Sequence, residues 1–203
     1  MDFSLSNRTR RLANVRGFTL VELMVVVVII GIMATVSVPP IVERLRNRRA
    51  SQAAQELALL YRNARVRALG QGFSVLVRYT STTGWEVREA MPFGTGTGSC
   101  TLQMTTTCTS NPWAVAGTDY RVVGRFTPSV YSGVAETVTV TGTGAVTTLD
   151  TCFTPRGRTF TRTNTANTLA PSTSMVDIAV SRSVNGRGGN VSILPNGTAR
   201  LSL

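Results

Sequence analysis

The hydropathy pattern of the chain changes twice along its length. From Phe18 to Val38 it reads FTLVELMVVVVIIGIMATVSV, an apolar run interrupted by one charge, Glu22. As a helix this run spans about 31 Å, which matches the hydrocarbon thickness of a bilayer. It lacks the polar face that a helix buried against a soluble domain presents to water. Pro39 and Pro40 follow, and because proline removes a backbone donor and clashes with the preceding turn, a bend or local melting is expected there. Beyond them the apolar residues Ile41, Leu45, Ala53, Leu57, Leu60, Ala64 and Leu69 recur at helical spacing, predicting an amphipathic helix. Its stripe would pack under a folded domain, with Arg44, Arg48, Arg62 and Arg65 facing solvent or neighbouring subunits.

After Gly70 and Gly72 the period shortens to two. Residues 73–79 and 85–90, separated by Ser81-Thr82-Thr83-Gly84, predict a β-hairpin. Further strands are expected at 120–126, 136–140, 152–155, 175–181 and 191–194, the last turning through Pro195-Asn196-Gly197 into a terminal hairpin. Residues 91–118, rich in Gly, Thr and Ser, read as the longest loop. The expected fold is α+β: a long N-terminal hydrophobic helix packed against a C-terminal antiparallel β-sheet domain. The expected segments are a leader at 1–17, the helix at 18–69 divided at residue 38, and a β-rich domain at 70–203.

Composition narrows the chemistry. The net charge is +11, every basic residue is arginine, and there is no histidine. Residues 1–17 contribute four of those arginines and one aspartate, so their removal leaves +8, still attractive to nucleic acid or acidic headgroups. Without histidine, and with scattered carboxylates, no catalytic constellation, metal site or cofactor site is expected. Cysteines stand at 100, 108 and 152. They suit an exported domain with one disulfide, and the short interval between Cys100 and Cys108 favours that pair, leaving Cys152 as a buried thiol. The positive-inside count is tied across the apolar run, so the cysteines and the Thr-rich C-terminal region are what place that end outside.

Glu22 needs explaining, since a carboxylate near the bilayer centre costs about 2.5–3.5 kcal/mol, although, four residues inside the run, snorkelling to the headgroups would reduce that cost. The run Arg16-Gly17-Phe18-Thr19-Leu20-Val21-Glu22, after a basic leader and before an apolar stretch, resembles the processing site of type IV prepilins and type II secretion pseudopilins. That resemblance implies a prepilin peptidase cutting between Gly17 and Phe18 and methylating the new amine of Phe18. It also implies that Glu22 pairs with the N-terminal amine of a neighbouring subunit, so that two charges costly in lipid neutralise each other on docking. Pro39 matches a kink position familiar in pilins.

Within these families the layout is most similar to the GspH/FimT group of minor pilins and pseudopilins, through Cys152-Phe153-Thr154-Pro155-Arg156-Gly157 and the hairpin Asn196-Gly197-Thr198-Ala199-Arg200. The resemblance implies a non-enzymatic minor pilin. It would be held in the inner membrane by a single span with a periplasmic C-terminal domain, then join other minor and major pilins through the N-terminal helices in a surface filament. It would prime assembly and sit at or near the tip. A type II secretion pseudopilin is the alternative. A DNA-binding minor pilin is another, through late arginines among which Arg156, Arg158, Arg187 and Arg200 are the expected contacts and Arg162 and Arg182 complete the cluster.

Overall fold

The computed structural model describes residues 17–91, 106–109, 113–131, 133–165, 167–182 and 188–202, and within these all side chains other than those of residues 36–41, 43, 46 and 129. The chain divides into two compact units, Met1–Glu43 and Arg44–Leu203. One helix, α1 (Leu20–Gln71), contributes to both.

In the first unit α1 is apolar, and its large apolar side chains from Leu20 to Met33 are 45–76% exposed among the described residues. The helical backbone continues through Pro39 and Pro40, so the local melting expected there does not occur. Among the described residues no helix is long and apolar enough to cross a membrane. The described apolar side chains of this stretch end before residue 36, whereas the sequence run continues to Val38.

In the second unit α1 buries one narrow face. Ala50, Ala53, Ala54, Leu57, Ala58, Tyr61, Ala64 and Ala68 are each 2% exposed or less and recur every three or four residues. Six of these eight are alanines, so the sheets approach the helix backbone closely, while Leu57 and Tyr61 fill the remaining space. The expected stripe was only partly right. Leu45 and Leu69 are about half exposed, and Tyr61 is fully buried with its hydroxyl accepting a hydrogen bond from Trp85 Nε1 at 3.2 Å. Burial, which disfavours the phenolate, pushes the Tyr61 hydroxyl far above its ordinary pKa. The helix stops at Gly72, whose φ of +74° is the left-handed conformation that ends helices cheaply.

Two antiparallel sheets complete the unit. The strands, in chain order, are β1 (Val75–Thr80), β2 (Gly84–Ala90), β3 (Tyr120–Phe126), β4 (Val134–Val140), β5 (Gly144–Ala145), β6 (Thr148–Phe153), β7 (Thr159–Arg162), β8 (Ala170–Pro171), β9 (Val176–Arg182), β10 (Gly188–Ile193) and β11 (Ala199–Ser202). One sheet runs β3-β2-β1-β6-β7-β8, the other β11-β10-β9-β4-β5. The fold is thus α+β. Alternation sends Val75, Val77 and Tyr79 of β1, and Val176, Ile178 and Val180 of β9, into one core with the alanine face of α1. The expected hairpins β1–β2 and β10–β11 both form.

A second, smaller core lies on the opposite face of the six-stranded sheet. There Leu76, Tyr120, Cys152 and Phe160 are covered by Cys108 and Trp113 from the segment before β3. Cys108 is joined to Cys152, 44 positions further along the sequence, with 5.6 Å between Cα atoms. This corrects the expected Cys100–Cys108 pair. Cys152 pairs in register with Leu76 on β1, so its side chain leaves the sheet on the face that Cys108 and Trp113 cover, within reach of Cys108. Cys100 lies outside the described residues. An unreduced digest is expected to yield peptides linked through Cys108 and Cys152. Cys152→Ser in the full chain should lower unfolding stability by roughly 2–5 kcal/mol in a denaturant titration.

Candidate functional site

The start of α1 is built from its own first residues. Gly17, Phe18 and Thr19 precede the helix, and Phe18 is 80% exposed. The Thr19 carbonyl accepts from the Leu23 N–H, and Thr19 Oγ1 accepts from the Glu22 N–H, both at 3.2 Å. Thr19 is therefore the N-cap, and Glu22 is the third helical residue, placed in the first turn where a carboxylate meets the positive end of the helix dipole. Thr19-Leu20-Val21-Glu22 has the spacing of a capping box. Sequence reasoning singled out Glu22 but missed Thr19, although that spacing was there to read. Cleavage before Phe18 would put the new amine one residue ahead of this cap, within reach of the same helix end.

Thr35 Oγ1 donates to the Ile32 carbonyl at 2.7 Å just before the proline pair. Pro39 and Pro40 have no N–H for the carbonyls of Thr35 and Val36, so this turn of the helix lacks two backbone donors.

The arginines expected to form one late basic cluster sort into two kinds. Arg162 and Arg182 are 6% and 8% exposed and belong to the fold. Arg162 Nε donates to Asp150 Oδ2 at 2.7 Å, and Arg182 donates to Asn47 Oδ1 at 2.9 Å. Arg78 binds the same Asp150 through two bonds of 2.7 and 2.8 Å. Burial, the largest single influence, pulls the Arg78 guanidinium down, but the hydrogen bonds and charge of Asp150, with smaller attractions to Tyr120 and Glu86, together outweigh it and raise its pKa. Glu86 is likewise shared by Arg88 and Arg125, and Glu89 by Arg67 and Arg121. Register pairing makes Arg125, Glu86, Arg78, Asp150 and Arg162 a cross-strand row of alternating charge over five neighbouring strands.

The remaining late arginines are exposed. Arg156 and Arg158 occupy the β6–β7 turn, with Arg158 stacked 5.5 Å from the Phe160 ring, and Arg200 lies on β11; Arg187 is outside the described residues. Two arginines of α1 unexpectedly join this end. Arg62 Nε donates to the Ala199 carbonyl at 3.2 Å and Arg65 to Thr198 Oγ1 at 2.9 Å, so they tie the terminal hairpin to the helix instead of standing free in solvent. Both turns rest on neighbouring elements: a Cβ on Gly197 of the terminal hairpin would lie 2.4 Å from Thr159 Oγ1 at the start of β7, and one on Gly157 of the β6–β7 turn would lie 3.7 Å from Leu69 of α1. Arg62, Arg65, Arg156, Arg158 and Arg200 have no carboxylate within ion-pair distance among the described residues.

No group of three or more His, Cys, Asp or Glu is placed to hold a metal ion among the described residues. Residues 12–38 match the prokaryotic N-terminal methylation motif. The chain therefore carries a type IV prepilin-like signal, and Gly17, Phe18 and Glu22 all fall inside the match. Such a motif marks type IV pilin-like proteins and pseudopilins, which engage a prepilin peptidase and other pilins. No curated protein and no solved structure matches the chain. The GspH/FimT resemblance rests on residues outside the matched segment.

Thr19→Val keeps the side-chain shape but removes the capping oxygen. It should cost the first turn about 0.5–2 kcal/mol, seen as faster hydrogen exchange at the Glu22 amide, and Thr19→Ser should restore protection. Equal exchange in all three forms would remove Thr19 from the cap.

Proposed function

We propose that this protein is a minor pilin of a type IV pilus, inserted in the inner membrane as a precursor and drawn into a surface filament after processing. The observation that supports this most is the junction at Gly17-Phe18: a methylation motif placed on a capped helix whose apolar side chains are largely exposed among the described residues of their unit. Such a surface is stable only in lipid or against other apolar helices. A peptidase cutting before Phe18 leaves a short, exposed, substrate-like end. The full apolar run Phe18–Val38 serves as a single-pass anchor, and the disulfide-bearing domain lies on the periplasmic side.

Assembly follows from charge. In lipid the Glu22 carboxylate and the Phe18 amine are both costly, and docking brings the amine of one subunit to the Glu22 of another so that they are buried as a pair. Position at or near the tip follows from a role in priming. The role is non-enzymatic: the chain is the substrate of the peptidase and a building block afterwards.

Mass spectrometry of sheared surface filaments tests the reading. The protein is expected among the filament subunits, beginning at N-methylated Phe18. Glu22→Ala should insert in the membrane as the native chain does but be reduced at least about tenfold in filaments. A chain retained in the envelope and absent from filaments would favour the type II secretion pseudopilin instead.

A second reading is favoured by five arginines, Arg62, Arg65, Arg156, Arg158 and Arg200, that have no carboxylate in ion-pair distance among the described residues. Guanidinium groups arranged in this way suit phosphate, and as a filament subunit the protein would capture DNA for uptake. Duplex DNA should bind the full chain in detergent with steep salt dependence. Arg156→Ala with Arg158→Ala should lower the slope of log affinity against log salt by about 2. No retardation at low salt, or an unchanged slope, would end this reading.

A further inference from the structure

The first turns of α1 in the second unit carry a basic surface that neither the core nor the late arginines absorb. Arg44 and Arg48 are exposed, and Leu45 between them is 50% exposed. With about 3.6 residues per turn, these three lie on the side of the helix opposite Ala50, Ala54 and Leu57, away from the face that packs on the sheets. Leu45 thus has the hydropathy of a core residue without the position of one. Neither arginine has a carboxylate within ion-pair distance among the described residues.

The sequence says what this surface stands beside. Arg44 comes six residues, and Arg48 ten, after Val38 at the end of the apolar run. Basic side chains this close to a span act on the headgroup layer. In the proposed orientation they stand on the periplasmic side, which is not where spans usually keep their arginines, so insertion alone does not explain them.

Chemistry narrows the partner. A guanidinium grips a phosphodiester through paired N–H donors while its apolar stem lies along the acyl boundary. An exposed leucine beside two such groups adds apolar contact at the same depth, the combination that suits a helix face to a lipid interface. A second copy of the chain has little to offer in return. Asp150, Glu86 and Glu89 are each shared by two arginines, and Glu56 accepts from the Tyr131 hydroxyl.

We propose that Arg44 and Arg48, with Leu45 between them, form a headgroup site for anionic phospholipid in the outer leaflet of the inner membrane. The site holds the precursor at the bilayer surface and has to release its lipid when the subunit enters a filament. It rests on the reading of Phe18–Val38 as a membrane anchor, and the test separates the two. The full chain is reconstituted in phosphatidylcholine vesicles with a trace of spin-labelled phosphatidylcholine or spin-labelled phosphatidylglycerol, and the motionally restricted fraction of each label is measured. Restricted lipid is expected with both labels, with phosphatidylglycerol preferred about threefold at low salt and less so as salt rises. Arg44→Gln with Arg48→Gln should lower that preference at least about twofold, the leader arginines being common to both forms. Arg156→Ala with Arg158→Ala should leave it unchanged, and the Cys108–Cys152 link reports that each variant has folded. Absence of restricted lipid with either label would remove the anchor and this site together. Restricted phosphatidylcholine with a preference that ignores Arg44 and Arg48, or that falls equally in the Arg156 and Arg158 variant, would overturn the headgroup site alone. Unchanged lipid behaviour of the glutamine variant with weaker retention of duplex DNA would overturn it in favour of nucleic acid.

Discussion

The close approach of two sheets to an alanine-lined helix face is the constraint on which the globular unit depends. Small side chains at 50, 53, 54, 58, 64 and 68 set the distance, and only Leu57 and Tyr61 project far into the core. The apolar side chains that β1 and β9 turn inward are all β-branched or aromatic and meet that face, burying apolar area worth about 25 cal/mol per Å². Had the helix carried leucine at these positions, the sheets would stand further off and Arg62 and Arg65 would not reach the terminal hairpin. The same helix, a few turns earlier, has valines and isoleucines that no described residue covers. One element thus buries its apolar surface within the chain at one end and leaves its described apolar side chains exposed at the other.

Much of the fold was legible because the physics behind it is local. The β1–β2 and β10–β11 hairpins follow from alternation and from turns that need glycine at positive φ, namely Gly84 and Gly197. What failed was non-local. The Cys108–Cys152 bond joins segments brought together by a crossing over the sheet, and no sequence spacing announces that crossing. β7 is a four-residue Thr-Phe-Thr-Arg strand whose pattern is too short to stand out from its threonine-rich surroundings, and β8 has only two residues. Leu45 and Leu69 carry the right hydropathy for the core, yet they fall off the narrow face that alanines define.

The candidate site divides in the same way. Gly17, Phe18 and Glu22 are fixed by contiguous residues and were readable as a motif. The roles of arginines were not, because identical side chains differ only in what lies opposite. Arg162 and Arg182 look like Arg156 and Arg158 in sequence, but the first two face Asp150 and Asn47 across the fold and so are spent on structure. Arg62 and Arg65 gain their place from residues more than 130 positions away.

The sharing of Asp150, Glu86 and Glu89 between paired guanidinium groups has an evolutionary consequence. Loss of any one arginine still leaves each acid neutralised, whereas loss of the acid sets two cations against each other in a partly dry place. Drift is therefore tolerated on the basic side and opposed on the acidic side. A lineage rich in arginine could reshape the outer charge of this domain, and with it the choice of binding partner, without endangering the sheet beneath.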